Sequence, residues 1–256
     1  MILTKKFVFI HLRKTGGTFV TTVVSRVYRK RGFLARWARK VKGKDFFNLN
    51  QHGTCAEIPP SHRGLPIVSS VRNPYDRYVS MYHFKGWTRS PEQWFADLDA
   101  VRRRYPHSPD LTFEEFLEVA STGFKALDDS AVPEDRRLGC QSEEIVRYFF
   151  REPARVFPAI DDAYIAARRW EKDMHPVRWL RVEDLNRDTH ALLVDSGCRP
   201  EDVAWVLEEG RILPEQSRDA PRPAEKAWQS YYTPALKETV RRRERLLFAM
   251  FPEYDV

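Results

Sequence analysis

Cysteine is scarce in this chain, and its spacing excludes two common kinds of site. The 256 residues include 3 cysteines, Cys55, Cys140 and Cys198, which are widely separated and form no CxxC pair. Such an odd, scattered set predicts neither a disulfide framework nor a zinc site built on thiolates, and it suits a reducing cytoplasm. The 7 histidines are also dispersed and no HExxH motif occurs, so we expect no bound metal.

Long apolar runs are missing as well. The first apolar run, Phe7 to Ile10, is too short for the core of a signal peptide, and no stretch approaches the ~20 apolar residues of a membrane span. We therefore expect a soluble cytoplasmic protein without a membrane span. A composition of 42% apolar, 31% charged and 13% aromatic residues is typical of a folded protein, and we expect one domain over residues 1–256.

Acidic residues are outnumbered, and one long segment has none. The chain carries 43 Lys and Arg against 36 Asp and Glu, a formal net charge of +7, which favours anionic partners. From Arg26 to Lys44 there is no acid, and apolar spacing predicts a basic helical insertion at 31–45. This segment is either a solvated helix face, which is the plainer interpretation, or a surface that attracts an anionic ligand.

Short β-branched and aromatic runs alternate with helical spacing along the chain. Phe7 to Ile10 predicts a buried strand, and further strands are predicted at 46–49, 66–71 and 177–182. Strands separated by helices favour an α/β fold with a central parallel sheet flanked by helices, and residues 90–175 are predicted to form a helical cover. Apolar residues that recur at helical spacing after the first strand predict a helix packed on the sheet: Phe19, Val20, Val23, Val24 and Val27.

The residues Lys14-Thr15-Gly16-Gly17-Thr18 stand where the first predicted strand turns into this helix. The glycines allow backbone N–H groups to approach an anion, the helix N-terminus adds positive potential, and the lysine adds a full charge. This combination predicts a cradle for phosphate or sulfate. The lysine precedes the glycines, unlike the GxxxxGK[ST] order of nucleoside triphosphatases. The alternative is a tight turn with a surface lysine.

A second basic element follows the predicted strand at 66–71. Asn73 and Pro74 suit the N-cap and first position of a helix, so Arg72 lies at the strand end and Ser80 near the second turn of the helix. Both side chains can point into the crevice at the carboxyl edge of a parallel sheet and together hold a second phosphate. Alternatively, Arg72 forms a surface ion pair with Asp76, and Ser80 is solvated.

Two of these segments carry a specific resemblance. FIHLRKTGGT, residues 9–18, resembles the 5′-phosphosulfate loop of sulfotransferases that use 3′-phosphoadenosine 5′-phosphosulfate (PAPS), and VRNPYDRYVSMYHF, residues 71–84, resembles their 3′-phosphate motif. The likeness is closest to carbohydrate-type and bacterial members, whose loop usually has a proline where Arg13 stands, so the loop gains a cation here. WLRVEDL, residues 179–185, and WQSYYTPAL, residues 228–236, are similar to weaker downstream motifs.

The resemblance implies a fold, a donor and a set of site residues. The fold would be α/β and similar to the P-loop nucleoside-triphosphate hydrolases, with PAPS as donor, 3′-phosphoadenosine 5′-phosphate (PAP) as product and no metal. Arg72 and Ser80 would hold the 3′-phosphate, and a lid loop at 214–230, including Ser217 and Arg218, would cover the nucleotide. The 5′-phosphosulfate would be held by Lys14, Thr15, Gly16, Gly17 and Thr18, and Arg13, where the chain departs from the family loop, is a further candidate for binding the donor.

Sulfuryl transfer needs an in-line nucleophile, a stabilised leaving oxygen and compensation of charge, as phosphoryl transfer does. Lys14 is the candidate that neutralises the leaving oxygen, and His52 is the candidate general base, because it follows the strand at 46–49 and histidine titrates near neutrality. Glu57 and His83 are fallback bases. A loop histidine satisfied by the backbone is the alternative for His52.

Two other functions stay open at this point. A P-loop kinase or nucleotide hydrolase would use the same cradle, but the motif order disfavours it. A basic nucleic-acid-binding protein would fit the net charge, but no helix-turn-helix, RRM or zinc-finger pattern occurs, so we expect no nucleic acid partner. The sequence does not fix the acceptor, a saccharide or small metabolite that residues 90–175 would help bind, nor the choice between oxygen and nitrogen, nor the oligomeric state.

Overall fold

The computed structural model describes residues 1–34, 46–48, 50–95, 97–122, 127–212 and 227–256. The chain divides into two compact units, Met1–Arg72 with Pro176–Glu215 and Asn73–His175 with Gln216–Val256. The strands are β1 (Ile2–Thr4), β2 (Val8–Ile10), β3 (Phe46–Asn48), β4 (Ile67–Val71) and β5 (Val177–Arg181). The α-helices are α1 (Gly17–Leu34), α2 (Pro74–Phe84), α3 (Gly86–Arg89), α4 (Leu98–Arg104), α5 (Phe113–Thr122), α6 (Cys140–Phe149), α7 (Pro153–Val156), α8 (Asp162–Ala166), α9 (Trp170–Asp173), α10 (Leu185–Asp195), α11 (Pro200–Val203), α12 (Pro234–Arg243) and α13 (Arg245–Met250).

The five strands form one sheet in the first unit, in the order β3-β1-β2-β4-β5. β2, β4 and β5 are parallel, with Phe9 opposite Val68, whereas β1 runs antiparallel to both of its neighbours. The predicted α/β class is therefore confirmed. The sheet is mixed and not wholly parallel, because the unpredicted three-residue β1 is inserted between β3 and β2.

One face of the sheet carries the core of the first unit. Phe9 of β2 and Phe7, the residue before β2, point into this core. Val8 points the other way, as the two-residue period of a strand requires. α1 and α10 pack on this face, and each fully buried apolar side chain contributes roughly 1.5–3 kcal/mol. The predicted apolar stripe of α1 is confirmed, with these buried members: Phe19, Val20, Val23, Val24 and Val27.

The second unit is built mainly of helices, and its first helix begins where the sequence predicts. The Asn73 side chain accepts hydrogen bonds from the N–H groups of Tyr75 and Asp76, and Pro74 occupies the first helical position. α2 ends at Phe84, and the next residue, Lys85, has a φ of +49° in the left-handed region. In the described part of residues 90–175, helices joined by loops are the regular elements, apart from an isolated bridge between Phe150 and Met174.

Buried charge also distinguishes the second unit. The Glu244 carboxylate is fully buried and accepts hydrogen bonds from the backbone N–H groups of Gln141 and Ser142 at the start of α6. The hydroxyls of Ser142 and Tyr78 also donate to it. Nearby on α2, Arg77 forms a buried ion pair with a glutamate of α6. Burial raises the pKa of Tyr78 well above its ordinary value, so this hydroxyl keeps its proton and donates.

Several predicted segments fall wholly or partly outside the described residues. Of the basic insertion at 31–45, the structure describes 31–34, which belong to the end of α1, and of the lid at 214–230 it describes 227–230. The single domain, the insertion, the lid and the acceptor role of residues 90–175 stay predictions. None of the described helices is both long and apolar enough to cross a membrane.

Candidate active site

The turn between β2 and α1 has an unusual backbone. Lys14 and Gly16 both have positive φ, +61° and +78°. Glycine suits this backbone at residue 16 because it adopts positive φ without strain, and a Cβ there would also lie 2.6 Å from Leu185 Cδ2. Lys14 carries a Cβ, so positive φ is strained there. A left-handed non-glycine residue costs on the order of 1–3 kcal/mol. Strain of this kind, held by the surrounding structure, is typical of a functional loop.

Backbone donors accumulate at the start of α1. Among the described residues, no acceptor is found for the N–H groups of Gly16, Gly17 and Thr18, and the next two amides both donate to the Gly16 carbonyl. The first turn of α1 contains no acidic side chain. The first N–H groups of a helix and its dipole attract anions, so this end of α1 has the chemistry of a phosphate or sulfate site.

Side chains fasten this loop to β4. Thr15 is buried, and its hydroxyl donates to the Leu12 carbonyl at 3.1 Å. The Thr15 and Ser70 hydroxyl oxygens are 2.9 Å apart. Because the single hydroxyl proton of Thr15 goes to a carbonyl, Ser70 must be the donor in this pair. The Thr15 hydroxyl therefore positions the loop from inside the protein.

The loop also meets the end of β4 through Arg72. Its Nη1 donates to the Lys14 carbonyl at 3.4 Å, a long hydrogen bond, and the side chain is only 9% exposed. Two cationic residues that are 58 positions apart in the sequence thus lie at one edge of the sheet. A surface location for Arg72, the alternative interpretation of the sequence, does not agree with this burial.

His52 lies at the same edge, beside the residue that follows β2. Its Nδ1 is 3.0 Å from the His11 carbonyl oxygen, and the two imidazole rings are 5.1 Å apart. A carbonyl only accepts, so Nδ1 carries the proton, and Nε2 is the basic nitrogen of the neutral ring. This tautomer is the one that a general base at Nε2 requires.

His11 supports this arrangement from inside the fold. Burial, assisted by the neighbouring His52, lowers the pKa of His11 to about 3, so its ring is neutral near pH 7. The ring packs against Gly17 so closely that a Cβ added there would lie 2.0 Å from His11 Cδ2. The position of the His11 ring therefore favours glycine at residue 17.

The two fallback bases have other partners. Glu57 accepts hydrogen bonds from the Thr54 N–H at 2.7 Å and from the Asn50 amide at 3.3 Å. The backbone hydrogen bond from Thr54 is the main cause of the lowered pKa of Glu57, which makes this carboxylate a weaker base. His83 belongs to the second unit, where its Nε2 is 2.7 Å from the Tyr231 hydroxyl.

The remaining predicted residues are placed as follows. Arg13 and Thr18 are half-buried in the first unit, and Ser80 is half-buried on α2 in the second unit. Ser217 and Arg218 lie outside the described residues. Trp228, predicted to be either a lid or a core residue, stacks on Tyr75 with ring centroids 5.1 Å apart within the second unit. The roles given to these residues stay predictions.

Two residues near the candidate site, His11 and Ser70, were not identified from the sequence. His11 could have been found from its place directly after the strand and before the loop, where side chains reach the carboxyl edge of a sheet. Ser70 could have been found from the strand period, because its neighbour Ser69 points to the opposite face and donates to the Ile10 carbonyl. Among the described residues, no group of three or more His, Cys, Asp or Glu could hold a metal ion.

Comparisons with known proteins indicate a family and a fold. The model of the Sulfotransferase family matches residues 2–208 of the chain. A crystal structure of mouse sulfotransferase SULT7A1 complexed with PAP is similar in fold, with a TM-score of 0.50 and 14% sequence identity over 97% of this chain and 86% of that chain. No curated protein matches the sequence. The structural likeness shows the fold, which agrees with the P-loop-like α/β fold expected from the sequence.

Proposed function

This chain belongs to the sulfotransferase family, and we propose that it transfers the sulfuryl group of PAPS to a hydroxyl or amine of an acceptor by in-line displacement. The observation that carries this proposal is the meeting of Lys14 and Arg72 at the carboxyl edge of the sheet, through the hydrogen bond from Arg72 Nη1 to the Lys14 carbonyl. A nucleotide with anionic groups at both its 5′ and 3′ ends needs two cationic contacts within reach of one another.

The donor fits the chemistry of the loop. The N–H groups of Gly16, Gly17 and Thr18 are suited to the 5′-phosphosulfate, and the close approach of a ligand there depends on the absence of a Cβ at both glycines. Arg72, with Ser80 as the second candidate, would hold the 3′-phosphate. PAPS supplies the sulfuryl group, and Lys14 neutralises the negative charge that develops on the leaving oxygen.

His52 is the residue that we propose as general base. Its Nδ1–H is held by the His11 carbonyl, and Nε2 takes the proton of the acceptor as the new bond to sulfur forms. His52→Ala should then lose the acidic limb of the rate profile of the parent enzyme between about pH 5 and 8, the range in which histidine titrates. If the variant keeps that limb, the base is a carboxylate or the acceptor itself.

Thermal unfolding tests the donor. PAP should raise the melting temperature, because a ligand present at 100 times its Kd stabilises the folded state by about 2.7 kcal/mol, whereas ATP should have little effect. Stabilisation by ATP with Mg²⁺ but not by PAP would favour the kinase alternative. Salt-dependent binding of random DNA without any PAP effect would favour the nucleic acid alternative.

A comparison of PAP with AMP, which lacks the 3′-phosphate, tests Arg72 separately. The parent should prefer PAP, and Arg72→Ala should remove that preference, because the contact specific to the 3′-phosphate is lost. Lys14→Ala is the matched control, since it should weaken both nucleotides and keep the preference. An Arg72→Ala variant that still prefers PAP to AMP by the same factor would contradict the assignment.

We also propose that the protein acts in the cytoplasm and without a nucleic acid partner. The three cysteines are buried thiols, which supports a reducing compartment. Cell fractionation tests the location, and recovery in the membrane or secreted fraction would contradict it.

A further inference from the structure

β4 carries two adjacent serines, Ser69 and Ser70, and both side chains are 0% exposed. Adjacent side chains of a strand point to opposite faces of the sheet. Ser70 shares its face with Val68 and pairs across the sheet with Leu180, and both of these residues belong to the apolar core. A hydroxyl buried on such a face is unfavourable unless it forms a hydrogen bond. The hydrogen-bond partner of Ser70 therefore identifies its role.

That partner is the Thr15 hydroxyl in the loop between β2 and α1, at an oxygen–oxygen distance of 2.9 Å. Thr15 uses its own proton for the Leu12 carbonyl, so Ser70 donates and Thr15 accepts. Leu12 and Thr15 flank Lys14, whose φ is +61° and whose carbonyl accepts a hydrogen bond from Arg72. A strained backbone of this kind persists only where the surrounding structure holds it. The chain of hydroxyls from β4 is part of what holds it here.

Ser69 forms a hydrogen bond of the same kind with a different part of the chain. Its hydroxyl donates to the carbonyl of Ile10 at 2.7 Å, and Ile10 lies opposite Ser69 in the register of β2 and β4. This hydrogen bond connects the two strands and does not reach the loop. The two serines therefore match in residue type, burial and number of donated hydrogen bonds, and they differ in the segment that each one holds.

We infer that Ser70 is a positioning residue for the donor site, which holds the loop in the conformation that receives the 5′ end of the nucleotide. The inference rests on the proposed function, since it takes PAPS as the donor. Ser70 is fully buried, so it acts through Thr15 and not by contact with the nucleotide. A loop that is already ordered loses less freedom on binding, which raises affinity. The effect of Ser70 should be confined to the 5′ end, because Arg72 is the residue proposed for the 3′-phosphate.

Two nucleotides that differ at the 5′ end test this inference: PAP and adenosine 3′-monophosphate, which lacks the 5′-phosphate. Calorimetric titration measures the Kd of each nucleotide, and the parent should bind PAP more tightly. Ser70→Ala should reduce this preference roughly tenfold, the effect of about one hydrogen bond, whereas the matched control Ser69→Ala should keep it. Both substitutions should lower the urea midpoint by similar amounts, because each removes one buried hydrogen bond.

A double-variant cycle distinguishes positioning from general weakening of the fold. Thr15→Val removes the acceptor of the Ser70 hydroxyl at nearly constant volume and should also reduce the preference for PAP. Ser70→Ala added to Thr15→Val should cause little further loss, because the two residues act through one hydrogen bond. If Ser70→Ala does not fold, Ser70→Cys takes its place, since a thiol of similar size is a weak donor and should reduce the preference severalfold.

Three outcomes would overturn the inference: Ser70→Ala, or Ser70→Cys in its place, keeps the preference of the parent; Ser69→Ala loses the preference to the same extent; or the losses caused by Ser70→Ala and Thr15→Val multiply. With a parent that prefers PAP, any of these results leaves the donor site standing and removes only the role of Ser70. A parent that does not bind PAP, or that binds both nucleotides equally, would contradict the proposed function and this inference with it.

Discussion

The N-termini of α1 and α6 present the same physical problem in the two units, and the protein solves it in two ways. At α6 the Glu244 carboxylate, 0% exposed, accepts the N–H groups of Gln141 and Ser142. At α1 no acidic residue occupies the first turn, and the described chain offers no acceptor to the N–H groups of Gly16 to Thr18. The anion at α6 is an internal carboxylate, whereas at α1 we propose that the bound donor supplies it.

This contrast shows that buried polar groups can stabilise the fold or can position a loop for a proposed function. The donors around Glu244 are satisfied within the second unit, so their removal should affect folding. In the first unit, Thr15 and Ser70 are satisfied as well, and they hold the loop that we propose binds the donor. Substitutions should therefore separate into those that lower stability and those that lower turnover.

Glu244→Gln should have the largest effect, on stability. In this variant an NH₂ group replaces one acceptor oxygen and faces hydrogen-bond donors. About two charge-assisted hydrogen bonds are lost, which should lower the free energy of unfolding by about 4 kcal/mol. Urea denaturation measures this change. Glu238→Gln, exposed on α12, is the matched control and should change the free energy by no more than about 0.5 kcal/mol. Equal effects of the two substitutions would remove the contrast between the two helix ends.

Lys14→Ala should have the next largest effect, on turnover. Loss of the charge that stabilises the leaving oxygen should lower kcat at least ~100-fold, about 2.7 kcal/mol in activation free energy. Stability should change little, because alanine has the same left-handed backbone cost at this position as lysine. Lys6→Ala, an exposed lysine between β1 and β2, controls for loss of charge alone. Near-normal sulfuryl transfer by Lys14→Ala would contradict the proposed role.

The same contrast explains what the sequence could and could not predict. The loop was predictable, because each of its residue types has a local reason to be there: glycines for access, threonines for hydroxyls and a lysine for charge. The Glu244 network was not, because its partners are more than 100 residues apart and only the tertiary fold brings them together. β1 was missed for a related reason, since three residues carry little periodicity and their strand depends on pairing on both sides.

Gly17→Ala should affect both stability and donor binding, because Gly17 packs against His11 and belongs to the loop that we propose binds the donor. A Cβ would lie 2.0 Å from the His11 ring, and overpacking of this kind costs about 2 kcal/mol. We expect thermal unfolding at a lower temperature together with weaker stabilisation by PAP. Gly210→Ala, where a Cβ meets nothing within 4 Å, should show neither change. A Gly17→Ala variant with parental stability would mean that the His11 ring is not fixed in this position.

At neutral pH the titration of His11 has the smallest expected effect on stability, and this effect grows as the pH falls. Because burial holds the pKa of His11 near 3 in the folded state, the unfolded chain binds the extra proton between about pH 3 and the ordinary histidine value of 6.5. Stability therefore falls as the pH drops through this window, by at most about 1.4 kcal/mol per pH unit for this residue, and the contribution is constant above it. His11→Leu should unfold with a shallower dependence on pH, measured by denaturant titrations between pH 4 and 7. The carboxyl groups are common to both proteins, so their titration cancels in the difference of slopes, and parallel curves would show that His11 is protonated as easily in the folded state as in the unfolded chain.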